Sequence, residues 1–203
     1  MSRLLAAIYD RFMQGSEDAC LRDWRAELLA DLSGDVLEIG AGTGASLVHY
    51  PPAVARLVLS EPDPHMRKRL AARAPAHVEV SAAPAHAIDQ PDRSFDTVVC
   101  FLVLCSVDRP YDALAEVRRV LKPGGRFVFI EHVAADARPE RLKWQRRIEP
   151  FWKRLAGNCH LTRRTEQAIL DAGFELEHVK RESIRKANPL TRASVRGIAR
   201  LSI

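Results

Sequence analysis

Val36-Leu37-Glu38-Ile39-Gly40-Ala41-Gly42-Thr43-Gly44 is the stretch that decides how the rest of the chain is read. A short apolar run is followed by a glycine at every second position. Val36 to Ile39 has the make-up of a buried parallel strand, and Ala45 to Tyr50 reads as the start of a helix. The glycines therefore join a strand end to a helix N-terminus, where open α/β sheets bind their ligands. Lacking Cβ atoms, Gly40, Gly42 and Gly44 can take positive φ and let a ligand edge rest on the backbone, with Ala41 between them. The spacing is Gly-x-Gly-x-Gly, not the Gly-x-Gly-x-x-Gly of the dinucleotide fingerprint. Glu38, two residues before the first glycine, suits a ligand carrying positive charge.

The next apolar run, Leu57-Val58-Leu59-Ser60-Glu61, reads as a second strand ending in a carboxylate, where a ribose diol needs an acceptor. Downstream come Ser94-Phe95-Asp96-Thr97-Val98-Val99 and Arg118-Arg119-Val120-Leu121-Lys122-Pro123-Gly124-Gly125. Together these residues resemble the class I S-adenosylmethionine-dependent methyltransferases: first motif, acidic end of strand two, fourth strand, and the turn into strand five. The resemblance implies a doubly wound, Rossmann-like α/β fold with a seven-stranded sheet whose last strand runs antiparallel. It also implies S-adenosyl-L-methionine as methyl donor and S-adenosyl-L-homocysteine as product. In that family's terms Glu38, Gly40, Ala41, Gly42, Gly44 and Glu61 hold the donor, Pro62 and Met66 flank its adenine, Leu102 faces the methyl group, and Tyr9 closes over it. Many relatives carry an acidic residue in the turn after strand three; here the nearest positions are Pro84, Ala85 and His86.

The chain of 203 residues is long enough for one domain spanning 1–203, with cap helices over 1–33 and a lid-like helical insertion over 136–161. Its four cysteines show no Cys-x-x-Cys spacing and no long apolar leader precedes them, so free thiols, no structural zinc and a reducing cytoplasm are expected. No stretch approaches the roughly 20 apolar residues of a spanning helix, which leaves a soluble or peripheral protein. The net charge of +5 gathers late in the chain.

Apolar spacings of three and four predict a helix over Ser2 to Met13, ended by Gly15, and a second from Asp18 to Asp31 with Cys20, Trp24, Leu28 and Leu32 inward. A helix opens at Pro62-Asp63-Pro64, His77 to Ser81 reads as strand three, and Phe95 to Leu104 as strand four. Asp108 is placed to cap a helix from Arg109 to Leu121, and Arg126 to His132 reads as strand five. Over Arg138 to Ala156, Trp144, Ile148, Phe151, Trp152 and Leu155 form an apolar stripe beside basic residues, with Pro150 expected to kink or split the helix. Thr162 is placed to cap a helix to Ala172; Phe174 to Ser183 and Ser194 to Ile203 are the last strands.

The ends of strands four and five should carry the chemistry, with Cys105 near the reacting atoms and His132 beside it. The runs Leu102-Val103-Leu104-Cys105-Ser106-Val107, Ile130-Glu131-His132-Val133-Ala134-Ala135 and Asn158-Cys159-His160-Leu161-Thr162-Arg163 resemble a narrower group, the thiol methyltransferases of the methyltransferase-like 7 type. That implies a small, apolar acceptor, a thiol first of all, oriented by Cys105, His132, His160 or Arg163 and walled by Trp144, Phe151 and Trp152. No metal is required for such a transfer. The absence of an Asn/Asp-Pro-Pro-aromatic run, a zinc knuckle or a stacked aromatic strand speaks against a nucleic-acid partner. Two other readings stay open: a lipid or quinone methyltransferase at a membrane surface, and a protein that binds the donor without catalysis.

Overall fold

The computed structural model describes residues 3–201, with side chains described from Ile8 onward. Among these, seven strands form one sheet in the order β3-β2-β1-β4-β5-β7-β6, with β1 (Gly34–Ile39), β2 (Val54–Ser60), β3 (Glu79–Ser81), β4 (Phe95–Phe101), β5 (Leu121–His132), β6 (Phe174–Ser183) and β7 (Ala193–Leu201). β1 to β5 pair in parallel, and β7 inserts antiparallel between β5 and β6. The expected doubly wound sheet with an antiparallel last strand is present. Ser2, Ser202 and Ile203, included in the expected terminal elements, lie outside the described residues.

The central strands are apolar on both faces because both are covered. One face packs Leu37, Val98, Phe127 and Phe129 against Leu114 and Val117 of α4 (Pro110–Val120) and Ile169 of α6 (Thr165–Asp171). The other packs Val36, Leu59, Val99 and Val128 against Leu21, Trp24 and Leu29 of the amino-terminal helices. The strand order reverses between β1 and β4, whose residues Ile39 and Cys100 share a rung, so Gly40 and Leu102 emerge side by side at the carboxyl edge. That is the switch-point crevice of such sheets.

Several expected boundaries move, each for a local reason. Gly15 does not end the first helix: α1 (Arg3–Ser16) runs on through a π-turn over Glu17–Leu21 into α2 (Arg22–Leu29). The buried arc is wider than the expected stripe, taking in Leu21, Arg25 and Leu29, while Leu28 is only partly covered. Ala45 to Tyr50 forms a single 3-10 turn, Leu47–His49, because Tyr50 turns extended ahead of Pro51. Strand three loses His77 to a turn closed by Val78 N and Pro75 O at 2.9 Å. Strand four stops at Phe101, since Leu102 takes φ 62° and turns the chain.

Asp108 does not cap α4, which opens on Pro110; its carboxylate accepts from Asn158 Nδ2 at 2.7 Å. Nor does Thr162 cap α6, its hydroxyl donating to Glu149 Oε2 at 2.6 Å. Helix α5 (Pro139–Leu155) continues unbroken through Pro150. Its apolar stripe is split: Ile148 and Trp152 are partly buried, whereas Trp144, Phe151 and Leu155 are 52%, 68% and 77% exposed. The anchor is polar instead. Buried Gln145 accepts from Ala135 N at 2.8 Å and donates to Leu190 O at 2.8 Å.

Candidate active site

The glycine loop lines a cavity of about 270 Å³ closed on one side by α1 and the π-turn. Tyr9, Glu38, Gly40, Ala41, Gly42 and Leu102, all expected at a donor site, line it. Gly40 and Gly42 have φ 65° and 60°, the left-handed region that glycine enters at little cost. They differ in surroundings: a Cβ on Gly40 would fall 2.5 Å from Val103 Cγ2, whereas a Cβ on Gly42 would meet nothing within 4 Å. The backbone at Gly42 is thus a bare surface that a ligand can approach. Gly44 does not line the cavity; its φ is 88° and a Cβ on it would fall 2.6 Å from Leu47 Cδ1 and 3.0 Å from Leu70 Cδ1.

Glu61 stands behind the loop, not in the cavity wall. Its carboxylate accepts from Gly42 N at 2.9 Å and from Asp63 N at 2.8 Å. Burial raises its pKa against the pull of those two amides. Glu38 is more committed than the sequence suggested: Ser46 Oγ and Tyr50 Oη each donate to it at 2.7 Å, so it fixes the loop as well as edging the cavity. Burial pushes its carboxyl above the usual range. Pro62, Met66, Pro84 and Ala85 are not among the lining residues. Met66 and Ala85 are buried in the protein interior, Pro62 is exposed, and Pro84 O closes a turn with Ala87 N at 3.0 Å.

Helix α1 is tied to the loop by residues the sequence marked only as ambiguous or not at all. Asp10 accepts from Thr43 Oγ1 at 2.5 Å and from Arg73 Nη2 at 2.6 Å, and Arg73 Nη1 donates to Thr43 O at 2.9 Å. Arg25, also missed, is buried in the cavity wall, donates to Glu17 Oε2 at 2.5 Å, and keeps a buried Nε without a partner. Only its contacts reveal it, because an arginine on a helix otherwise reads as a solvated charge. Burial pushes the Tyr9 hydroxyl up to about 12, against the opposing charge of Arg25.

At that strand end, Glu131 is the organising residue. Wholly buried, it accepts from the amides of Val103 and Leu104 at 2.9 Å and of Cys105 at 3.0 Å. Those amides are thereby removed from the sheet ladder. Burial raises its pKa despite the three donors. Cys105 is pinned a second time, His160 N donating to its carbonyl at 2.7 Å.

The four expected catalytic residues separate into two pairs. Cys105 and His132 come together and are joined by Cys159, whose Sγ lies 2.6 Å from His132 Nε2. Burial disfavours charge on His132, but the contact with Cys159 and the charge of Glu131 outweigh it and raise its pKa. The side chains of His160 and Arg163 are spent elsewhere. His160 Nδ1 lies 3.3 Å from Glu149 Oε1, and Arg163 Nη2 donates to Val107 O at 2.5 Å. Burial and the charges of Arg163 and Lys153 lower the pKa of His160. Trp144, Phe151 and Trp152 do not line the cavity. Cys159 could not be singled out by spacing, since its partners lie on other elements. All four cysteines are free, as expected.

S-adenosylmethionine carries a ribose diol, a sulfonium and an amino-acid carboxylate, and the residues present fit it. Bare Gly42 offers a resting surface, Glu61 fixes it from behind through the Gly42 amide, and the unpartnered Nε of Arg25 offers a donor for a carboxylate.

A family model described as "Methyltransferase domain" matches residues 37–129. The chain is 41% identical over 145 residues to thiol S-methyltransferase TMT1B of Rattus norvegicus, covering 68% of this chain and 59% of that protein. It is 41% identical over 162 residues to the Homo sapiens protein of that name, covering 76% of this chain and 66% of that one. The chain thus spans roughly three fifths to two thirds of the length of these relatives. Among solved structures, an S-adenosylmethionine-dependent methyltransferase of Thermotoga maritima, described as a possible histamine N-methyltransferase, superposes with a TM-score of 0.70. At 21% identity over 98% of this chain and 96% of that one, it supports the fold alone. The chain belongs to the class I S-adenosylmethionine-dependent methyltransferase family.

Proposed function

We propose that this protein methylates a small-molecule thiol, with S-adenosylmethionine as donor. The carrying observation is the chemistry at the carboxyl ends of β4 and β5. Cys105, His132 and Cys159 gather there, while the nearest carboxylate, Glu131, is saturated by backbone amides. Such a centre offers no free carboxylate as general base, so it suits an acceptor that ionises readily. A thiol of pKa about 8.5 is already partly thiolate at neutral pH. The relatives named above as thiol S-methyltransferases support the same reading.

The bound donor supplies an electrophilic methyl on a positively charged sulfur. The residues of this chain then have to align and enclose. Gly40, Ala41 and Gly42 present backbone, Glu61 braces the loop from behind, Arg25 offers its guanidinium, and Tyr9 with Leu102 lines the cavity. Held in line, an acceptor needs little further activation. Incubating the full chain with the donor and a panel of alkyl thiols, phenols and amines, followed by mass spectrometry, tests the reading. A methyl-sized mass gain confined to thiols is expected; methylation of phenols or amines alone overturns it.

Exposed Trp144, Phe151 and Leu155 stand on α5 with Lys143, Arg146 and Arg147, a composition that suits an anionic membrane surface and favours a second reading as a lipid or quinone methyltransferase. No described helix is long and apolar enough to cross a membrane. Co-sedimentation with vesicles containing phosphatidylserine, lost on Arg146→Glu with Arg147→Glu, would favour that reading; no sedimentation opposes it. The free thiols suit a reducing compartment such as the cytoplasm.

A further inference from the structure

Three soft donors meet at the carboxyl edge of the sheet. Cys105, His132 and Cys159 each offer one ligand atom, and these atoms lie within 4.8 Å of one another. Each comes from a separately anchored segment. Cys105 is held by Glu131 and His160 N, and His132 sits at the end of β5 paired to β7. Cys159 follows Asn158, whose side chain donates to Ser106 O at 2.8 Å and Asp108 Oδ1 at 2.7 Å. Convergence of this kind does not arise from chain proximity. His132 is 5% exposed, and its Nδ1 is buried without a partner. Cys159 is partly buried as a residue, while the cluster itself lies in the interior.

We propose that Cys105, His132 and Cys159 form a zinc site whose fourth position is open to the sulfur of a thiol acceptor. Two thiolates and an imidazole are a donor set that zinc takes, and three protein ligands with one open position mark a catalytic and not a structural site. Ligand atoms about 2.0–2.3 Å from a tetrahedral zinc stand roughly 3.5 Å apart. The Cys159–His132 contact of 2.6 Å therefore opens by about 1 Å on metal binding, a shift that rotation of the partly buried Cys159 side chain supplies. Both cysteines release their protons to solvent as the metal enters. When an acceptor R–SH binds, its sulfur forms a bond to zinc in place of water and its proton also leaves to solvent. No electron changes hands, and the sulfur is held as a thiolate on a metal whose ligand Cys105 follows Leu102 of the cavity wall by three residues. The metal site stands on the ligand geometry; the identity of its fourth ligand rests on the thiol reading above.

The full chain, stripped with a chelator and reloaded, is titrated with Zn²⁺ and separately with Co²⁺. One equivalent of zinc retained per chain is expected, together with a near-ultraviolet thiolate-to-cobalt absorbance that changes when 2-mercaptoethanol is added. Cys159→Ser should weaken retention by more than the roughly 10–100-fold typical of losing an outer-shell partner. His132→Gln should do the same, and the wild-type cobalt spectrum keeps the test decisive if that variant fails to fold. No retained metal, or absorbance unchanged in Cys159→Ser, overturns the site. A metal-free chain that still methylates thiols overturns it too, while leaving the thiol reading intact. Metal binding without turnover of any thiol keeps the site and removes the thiol reading with its fourth ligand.

Discussion

The amide of Gly42 donates to Glu61 Oε2 over 2.9 Å, so the glycine loop and the acidic end of β2 behave as one unit. Glu61→Ala removes the acceptor and leaves the amides of Gly42 and Asp63 without it. Donor-product affinity, measured by calorimetry with S-adenosylhomocysteine, should fall at least tenfold, about 1.4 kcal/mol or more. Unchanged affinity would dissociate Glu61 from donor binding.

Gly40 and Gly42 share a backbone conformation but not a neighbourhood. Gly42→Ala should cost about 1–2 kcal/mol in urea unfolding, from left-handed φ alone. Gly40→Ala adds the approach to Val103 at 2.5 Å and should cost more. Equal costs would mean that Val103 moves aside freely.

Asp10 locks α1 onto the loop. Burial opposes its charge, yet hydrogen bonds from Thr43 and Arg73, with the charge of Arg73, lower its pKa below the ordinary 3.8. The sign follows: this stabilisation is complete above the ordinary value and is lost as pH falls through the lowered one. Because the pair is partly exposed, Asp10→Asn should cost under about 1 kcal/mol globally. Faster amide hydrogen exchange in α1 is the sharper readout, and unchanged exchange there would remove the lock.

Glu131 accepts three backbone amides inside the protein, and Glu131→Ala orphans all of them. A loss of about 3–5 kcal/mol in urea unfolding is expected. Burial raises the pKa of this carboxyl, so its contribution is full below the ordinary glutamate range and declines as pH rises through the raised value. Glu131→Gln should flatten that part of the stability–pH profile.

Trp144 and Phe151 are exposed, so Trp144→Ser or Phe151→Ser should shift stability by no more than about 0.5 kcal/mol. A cost of several kcal/mol would restore the packed apolar face that the spacing of α5 implies.

The sheet was legible because buried parallel strands write themselves as apolar runs, and the donor loop because alternating glycines follow one of them. The arrangement at Cys105 and His132 was half legible: strand ends place both residues, but Cys159 arrives from a distant loop and leaves no periodic trace. Arg25 and Arg73 were hidden for a related reason. Their side chains act across elements, and their residue types read as surface on any single helix. The anchor of α5 was illegible because Gln145 supplies it through hydrogen bonds, which hydrophobic spacing cannot express.

Leu102 holds φ 62° without being glycine, a conformation disfavoured by about 1–2 kcal/mol and maintained here by its amide's bond to Ile130 O at 2.7 Å. This residue of the cavity lining is thus held in a set conformation, and relaxing its backbone would re-aim the chain there. The enzyme carries a standing penalty there, spent on the shape of the lining before any small molecule arrives.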